Sequence, residues 1–300
     1  MKNQVSKKSA FIASVALILT AAIWGFSFVV MKDTLNVIGP YWIIAIRFLL
    51  AGILVFLFSI PRLKKADKSI FVHGLVLGIL FFFAYATQTV GCKFTTPGKN
   101  AFLTTLYVVL VPLLGWPLLK VKPRWFIFAA ACMSITGIGL LALKSGDGSI
   151  LSMNKGDVLT LVCGVFFALH IIFGAKYVEN EDPFLLTAIQ FLVSGMLSLI
   201  SALLFDEPLT VSVLLDRKVV VSILYLTLFA SIYGFTVQNV GLKYVPSALA
   251  SLFMGLESVF GVIFSVIFFG ELLTLRMWIG CALIFGAIIM AEVLPNIFKK

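Results

Sequence analysis

The feature of this sequence that most constrains its fold is an internal repeat. Residues 40–52 read P-Y-W-I-I-A-I-R-F-L-L-A-G, and 143 positions later residues 183–195 read P-F-L-L-T-A-I-Q-F-L-V-S-G. A second pair of segments, 88–93 and 238–243, matches at an offset of 150 positions. Five long apolar segments lie in each copy. A unit with an odd number of membrane-crossing helices lies upside down relative to its repeat, so the sequence predicts two halves of inverted topology.

The composition of the chain predicts that these segments lie in a lipid bilayer. Hydrophobic residues make up 61% of the chain and charged residues 12%, and the mean hydropathy is +1.11. A water-soluble core cannot hide that much apolar surface. Because lipid offers the backbone no hydrogen-bond partner, the spanning segments are expected to be helices. We predict an all-α integral membrane protein with ten transmembrane helices, at 11–31, 41–60, 70–91, 101–119, 125–143, 158–176, 184–205, 219–240, 248–269 and 277–294.

The charges at the helix ends predict the orientation. Loops on the side of the two termini carry 14 lysines and arginines, and loops on the other side carry 8. Basic residues favour the cytoplasmic face, so both termini are expected to be cytoplasmic, in the cell membrane. The polar stretch 144–157 is predicted to join the repeats on the outer face, which divides the chain into a first repeat at 1–146 and a second at 147–300.

The net charge of +10 raises the question of a nucleic-acid partner. The cations are scattered at helix ends and form no basic patch interleaved with aromatic residues, so no nucleic-acid partner is expected. The four cysteines have no metal-ligand spacing, and no G-x4-G-K-[ST] phosphate loop is present. We therefore expect no cofactor and no metal, and the expected partners are the lipid bilayer and a small-molecule substrate.

Several short motifs carry a family resemblance. They comprise Trp24, Gly25, Phe28, Lys32, Pro40, Arg47, Phe48, Leu256, Glu257, Phe269, Gly270, Glu271, Gly280 and Gly286. In this pattern the chain resembles the drug/metabolite transporter superfamily, in its ten-helix EamA type, over essentially its whole length. The resemblance implies a two-repeat transporter but no particular substrate, because that family moves amino acids, sugars, nucleotides, amines and other metabolites.

Two charged residues are predicted to lie deep in the membrane. Glu257 falls about ten residues into the ninth helix, where an ionised carboxylate costs at least about 2.5 kcal/mol on insertion scales. It is expected either to couple transport to protons or bind a substrate amine, or to serve as a structural carboxyl. Arg47 lies in the second helix, and its repeat mate is the uncharged Gln190. Arg47 is expected either to contact a substrate carboxylate, or to have a structural role in which it snorkels outward or caps the end of a neighbouring helix.

Other polar and aromatic residues at similar depths complete the predicted substrate site. Each of them could instead make an ordinary hydrogen bond between helices, and His170 could be a packed neutral histidine. Together with Glu257, the predicted substrate-binding residues are Trp24, Tyr85, Gln88, Asn100, Tyr107, His170 and Tyr233. Pro112 and Pro117 predict a bend in the fourth helix.

These observations favour a secondary transporter that moves a small metabolite, such as an amino acid or an amine, by alternating access. The resemblance favours export, with facilitated diffusion and proton exchange both left open. A translocase for a lipid-like carrier on the same scaffold is the alternative. A membrane-embedded enzyme is disfavoured because H-E-x-x-H, G-x-S-x-G and a facing pair of intramembrane aspartates are absent. Oligomeric state is left open.

Overall fold

The computed structural model describes residues 7–64, 66–95, 97–120, 122–142, 154–269 and 275–297. Every regular element in these ranges is a helix. The predicted repeat junction at 144–149 and the motif residues Gly270 and Glu271 lie outside the described residues. The prediction of an all-α chain is confirmed for the part that is described.

The described helices form ten apolar spans, as predicted. The first half contributes α1 Lys7–Thr34, α2 Pro40–Leu63, α3 Ser69–Phe94, α4 Pro97–Thr104, α5 Tyr107–Leu119 and α6 Trp125–Ala142. The second half contributes α7 Lys155–Tyr177, α8 Pro183–Phe205, α9 Val211–Leu214, α10 Arg217–Tyr225, a π-helical segment Leu226–Tyr233, α11 Gly234–Gly241, α12 Ser247–Gly255, α13 Glu257–Phe269 and α14 Leu275–Ile297.

Six of the described spans are each long and apolar enough to cross a bilayer. They are α1, α2, α3, α7, α8 and the continuous stretch Arg217–Gly241. The fourth and ninth spans are each built from two shorter helices, α4 with α5 and α12 with α13. The fifth and tenth spans, α6 and α14, pack against each other at one side of the bundle.

The interruption of the fourth span does not lie where the prolines predicted a bend. Helix α5 continues through both Pro112 and Pro117, and the interruption falls earlier, at Thr105 and Leu106. The ring of Pro112 removes the hydrogen bond to the carbonyl of Val108, four residues back, and Val108 already lies in the first turn of α5. The irregular turn next to it can absorb that distortion.

The sequence repeat reappears in the helix boundaries. At an offset of 143, α1 and α7 end together and α2 and α8 begin together. At an offset of 150, the starts and ends of α4 and α5 coincide with those of α12 and α13, apart from one residue at the end of α12, and the starts of α6 and α14 coincide. The two halves therefore repeat the same order of helices with the same interruption.

Contacts between α2 and α8 show that the halves are inverted. A Cβ atom built on Gly52 would meet Leu192 at 2.9 Å, and one built on Gly195 would meet Leu49 at 2.9 Å. The two contacts are equivalent, because Leu192 and Gly195 lie 143 positions after Leu49 and Gly52. Leu49 faces Gly195 and Gly52 faces Leu192, so residue numbers rise along α2 in the direction in which they fall along α8. The equivalent helices α2 and α8 thus run antiparallel, with their backbones held close by glycine on both sides.

One helix start depends on a carboxylate from the other half. Gly39 precedes α2 and has no side chain with which to cap it. The Asp206 Oδ2 atom, just after α8, accepts hydrogen bonds from the backbone N–H groups of Tyr41 at 2.8 Å and Trp42 at 3.0 Å. Partial burial raises the pKa of Asp206 above its ordinary value, while these two N–H donors oppose the rise. Asp206 serves as the N-cap of α2 from across the repeat interface.

Candidate functional site

A cavity lies between the two halves. Its walls come from α1, α2, α3, α4, α5, α7, α11, α12 and α13, and none of its described lining residues comes from α6 or α14. All the lining residues except Ser27 are buried, so the cavity lies inside the bundle. They are Trp24, Ser27, Phe28, Met31, Arg47, Tyr85, Gln88, Thr104, Tyr107, Phe167, Ile171, Phe235, Gln238, Met254 and Glu257.

The acidic group of the cavity is Glu257, the first residue of α13. The Tyr107 hydroxyl, on the first residue of α5, donates a hydrogen bond to Glu257 Oε1 at 3.1 Å. Both residues follow directly after the interruption of their span, where α-helical hydrogen bonding restarts. The two interrupted helices therefore meet at the cavity through their first side chains.

The basic group of the cavity is Arg47 of α2, which is 2% exposed. Its Nε donates to the Ser231 hydroxyl at 3.0 Å. The guanidinium carbon lies 4.7 Å from the ring centre of Phe48 and 4.8 Å from that of Tyr85. Two aromatic rings and one hydroxyl thus replace the water that surrounds an exposed arginine.

The π-helical segment supplies the Ser231 contact to Arg47 and has no counterpart in the described part of the first half. The equivalent span, α3, is α-helical throughout its length. In the π-helical segment, the Ala230 carbonyl accepts a hydrogen bond from the Trp24 indole at 2.8 Å, and Ser231 donates to the Leu226 carbonyl at 2.8 Å. π-Helical turns concentrate at functional sites, and here the altered turn positions both Trp24 and Arg47 at the cavity.

Gln238 is the first of a row of three hydrogen-bonded, buried side chains in the second half. Gln238 Nε2 is 3.3 Å from His170 Nδ1, and His170 Nε2 is 2.9 Å from Gln190 Oε1. A neutral His170 protonated on Nε2 satisfies both contacts, because Nδ1 then accepts from the Gln238 amide nitrogen and Nε2 donates to the Gln190 amide oxygen. His170 thus holds the Gln238 amide from behind rather than lining the cavity itself.

Five of the predicted site residues line this cavity, namely Trp24, Tyr85, Gln88, Tyr107 and Glu257. Asn100, His170 and Tyr233 do not line it. Asn100 instead donates to the Gln88 carbonyl at 3.1 Å and to the Thr160 hydroxyl at 2.8 Å, between α4 and α7. Tyr233 ends the π-helical segment and is half-buried. The roles of all eight residues stay predictions.

The lining residues that sequence reasoning missed include Phe167, Ile171, Phe235 and Met254. The repeat offsets would have identified these residues as equivalents of residues in the first half. Phe235 lies 150 positions after Tyr85 and Met254 lies 150 after Thr104, while Phe167 and Ile171 lie 143 after Trp24 and Phe28. Equivalent positions on the two halves line one shared cavity, as expected for a site on the axis that relates inverted repeats.

The described residues offer no cluster of three or more histidine, cysteine, aspartate or glutamate side chains that could hold a metal ion. The cavity itself has a mixed polar and apolar lining. It presents one carboxyl group, one guanidinium, several amides and hydroxyls, and aromatic walls.

Comparison with known proteins identifies relatives along the whole chain. An uncharacterized transporter of Archaeoglobus fulgidus is 31% identical over 93% of this chain and 85% of its own length. A probable amino-acid metabolite efflux pump of Salmonella typhimurium is 26% identical over 98% of this chain and 96% of its own length. The uncharacterized inner membrane transporter YedA of Escherichia coli is 25% identical over 95% and 90%.

A solved crystal structure shares the fold, with a TM-score of 0.80 at 18% identity, and the match covers 98% of this chain and 100% of that one. The profile of the EamA-like transporter family matches residues 11–143 and again residues 154–292. Together with the apolar spans, these matches show a multi-pass membrane protein of transporter type. The chain belongs to the EamA-like transporter family.

Proposed function

We propose that this protein is a secondary transporter that exports a small metabolite of the amino acid or amine class across the cytoplasmic membrane. The observation that carries the proposal is the cavity between the two halves. It places a buried carboxyl group and a buried guanidinium on the walls of one cavity.

The relatives support the class of activity and its direction. The Salmonella protein that is similar over nearly the whole chain is named as a probable amino-acid metabolite efflux pump. The family and the other relatives are named as transporters, and the cavity supplies binding groups and no arranged nucleophile, so we propose no enzymatic activity. Buried ionisable groups within membrane spans mark substrate or ion pathways.

Alternating access would explain why the fourth and ninth spans are interrupted. The breaks at Thr105 and Leu106 and at Leu256 lie at equivalent places, and each divides its span into two shorter helices. Movement of α4 would open the cavity toward one face of the membrane, and the equivalent movement of α12 would open it toward the other. Proton exchange through Glu257 is the coupling that we propose for active export.

Transport in proteoliposomes tests this function. Purified protein is reconstituted and assayed for counterflow of radiolabelled phenylalanine, leucine, threonine and putrescine. Ser27→Cys, in a background without native cysteines, places a thiol on the cavity wall. Leu203→Cys is the matched control because Leu203 is 69% exposed on α8, away from the cavity.

Transport is expected in the wild type and in both variants, and alkylation by a bulky maleimide is expected to stop it in Ser27→Cys alone. Folded protein that moves none of these solutes would contradict the proposal. Transport that survives full alkylation of Ser27→Cys would place the pathway elsewhere.

A further inference from the structure

The eighth span, Arg217–Gly241, contains one residue more than α3, the equivalent span of the first half. Up to Ala230 its buried residues lie 149 positions after buried residues of α3, and from Gly234 onward they lie 150 positions after them. The residues paired at 149 are Ile70, Gly74, Leu77, Gly78 and Phe81 with Val219, Ile223, Leu226, Thr227 and Ala230, and those paired at 150 are Ala84, Tyr85, Gln88 and Thr89 with Gly234, Phe235, Gln238 and Asn239. The extra residue therefore lies at 231–233, in the π-helical segment, whose wider turn accommodates it.

Glycine lets α3 approach the second half closely. A Cβ atom built on Gly74 would lie 2.5 Å from a side-chain atom of α8, and one built on Gly78 would lie 3.1 Å from the backbone carbonyl oxygen of Gln190. At the two equivalent positions the eighth span carries Ile223 and Thr227. The eighth span therefore has branched side chains where α3 has none.

The other ends of the two spans differ in the same way. Gly91 and Gly241 are equivalent, and so are Thr160 and Leu17, which face them from α7 and α1. A Cβ atom on Gly91 would meet Thr160 Oγ1 at 2.7 Å and the backbone carbonyl oxygen of Gly156 at 2.9 Å. The three atoms nearest to a Cβ on Gly241 all belong to the Leu17 side chain, at 3.2–3.3 Å. The backbones of α3 and α7 thus touch, whereas a leucine side chain separates the eighth span from α1.

Two buried carboxylates fasten the ends of α3 to the second half. Thr95, directly after α3, donates a hydrogen bond to Asp157 Oδ1 on α7 at 2.8 Å. Ser69, the first residue of α3, donates to Glu181 Oε1 between α7 and α8 at 2.7 Å. His73 Nδ1 lies 2.8 Å from the same Glu181 oxygen. Hydrogen bonds therefore hold α3 to the second half at both of its ends.

The eighth span lacks these contacts at its ends. Ser14 and Ile38 take the places of the two carboxylates in the first half. Isoleucine offers no acceptor, and the Ser14 hydroxyl donates to the Ala10 carbonyl of its own helix at 3.0 Å. The two positions thus give the first half no equivalent means of fastening the eighth span.

The eighth span is bonded to the first half at its middle instead. The Tyr225 hydroxyl donates to the Ile23 carbonyl at 2.8 Å, directly before the π-helical segment. The π-helical segment itself accepts the bonds from Trp24 and Arg47. Among the residues that the structure describes, these three are the hydrogen bonds between the eighth span and the first half. One span is therefore held along its length and the other around a single turn.

Building on the alternating access proposed above, we propose that the eighth span tilts about its π-helical segment while α3 stays fixed to α7 and α8. A helix that is held at its middle moves its two ends in opposite directions, so one tilt can open one face as it closes the other. Residues 242–246 join the end of the eighth span directly to α12. The tilt therefore carries with it one of the two short helices whose movement would open the cavity.

Distances between spin labels, measured by pulsed electron paramagnetic resonance in lipid nanodiscs, test this difference without relying on transport. Two labels at a time are attached to single cysteines in a background without native cysteines, one near an end of α3 or of the eighth span and one on α2 or α8. All six positions are exposed, and the pairs on the two spans are repeat equivalents. The pairs are Val221 with Leu203 and Lys243 with Ile60 for the eighth span, and Val72 with Ile60 and Lys93 with Leu203 for α3.

Both pairs on the eighth span are expected to show two distances that differ by at least about 2 Å, and both pairs on α3 are expected to show one. Single distances in all four pairs, or two distances in the α3 pairs, overturn the proposal.

Deletion of Ile232 then tests the pivot. This residue is half-buried and does not line the cavity, and its removal gives the eighth span the length of α3. A continuous α-helix is expected to leave one distance in each pair on the eighth span. Two distances that persist in the folded deletion variant overturn the role of the π-helical segment, and the wild-type comparison decides the proposal if the variant does not fold.

The outcomes separate this inference from the proposed function. Two distances in the eighth-span pairs alone, in protein that moves no solute, keep the inference and overturn the transport function. Transport by protein in which α3 and the eighth span are equally mobile keeps the transport function and overturns the inference.

Discussion

Tyr107 donates a hydrogen bond to Glu257 at 3.1 Å, and the two residues occupy equivalent positions 150 apart in the two repeats. Each is the first residue after the interruption of its span. A symmetric scaffold has thus placed a phenol on one side of its axis and a carboxyl group on the other. Inverted repeats bring equivalent residues together on the axis, so divergence at a single pair of positions produces a donor and an acceptor at the centre of the protein.

Glu257→Gln is expected to abolish or strongly reduce transport while leaving folding nearly unchanged. The glutamine carbonyl still accepts the bond from Tyr107, so packing is kept, but the side chain cannot carry a charge or exchange a proton. Proteoliposome transport at several pH gradients and thermal melting in detergent measure the two effects.

Glu207→Gln serves as the control because Glu207 is exposed outside the membrane spans. Wild-type transport that ignores a pH gradient, with Glu257→Gln equally active, would leave Glu257 as a structural carboxyl.

Gly52→Ala and Gly195→Ala are each expected to destabilise the protein by about 1–3 kcal/mol. Each new methyl group would lie 2.9 Å from the backbone nitrogen of the facing leucine, which cannot rotate away. The two variants should behave alike because the contacts are equivalent. Gly115→Ala is the control, since its nearest neighbour would be 3.8 Å away. Melting in detergent that shows all three variants equally stable would argue against the close approach of α2 and α8.

Periodic and repeated features of the chain could be predicted from its sequence. Long apolar stretches predict membrane-spanning helices, because in lipid every backbone N–H and C=O group needs a hydrogen-bond partner within the helix. The sequence repeat predicts inverted halves because each copy contains an odd number of spans. The same offset pairs Tyr85 with Phe235 and Gln88 with Gln238, so half of the cavity could be deduced from the other half.

Features that depend on tertiary contacts could not be predicted. The fourth span is interrupted at Thr105 and Leu106, where neither glycine nor proline stands, so residue type gives no local signal for the break. The π-helical segment contains neither glycine nor proline, and its register follows from the bonds that Ala230 and Ser231 make to Trp24 and Arg47. Residue type alone could not show that His170 lies behind Gln238.

Asp206→Ala is expected to cost about 1 kcal/mol of stability, because among the described residues Asp206 is the side-chain acceptor for the first N–H groups of α2. Asp206→Asn keeps an amide oxygen at the same place and should lose less. Melting in detergent compares the two. Equal loss in both variants would show that the negative charge, rather than the hydrogen bond, stabilises the start of α2.

Both termini are expected to be cytoplasmic and the repeat junction extracytoplasmic, because the basic residues are distributed 14 to 8 between the two sides. Lys2→Cys and Ser149→Cys are made separately in a background without native cysteines. An impermeant maleimide applied to intact cells should modify position 149 and spare position 2. The reverse pattern would invert the whole assignment.

The substrate pathway is expected to follow α4 and α5 on one side and α12 and α13 on the other, while α6 and α14 remain outside it. Thr104→Cys and Met254→Cys place thiols at equivalent positions on the cavity wall. If movement of each interrupted span opens one face, an impermeant reagent should reach Thr104→Cys from the outer face and Met254→Cys from the inner face. The transported solute should protect both thiols, because both line the volume that it fills. Thr136→Cys on α6, which is exposed and away from the cavity, should react equally with and without solute. Protection at position 136, with none at 104 or 254, would move the pathway to the side of the bundle formed by α6 and α14.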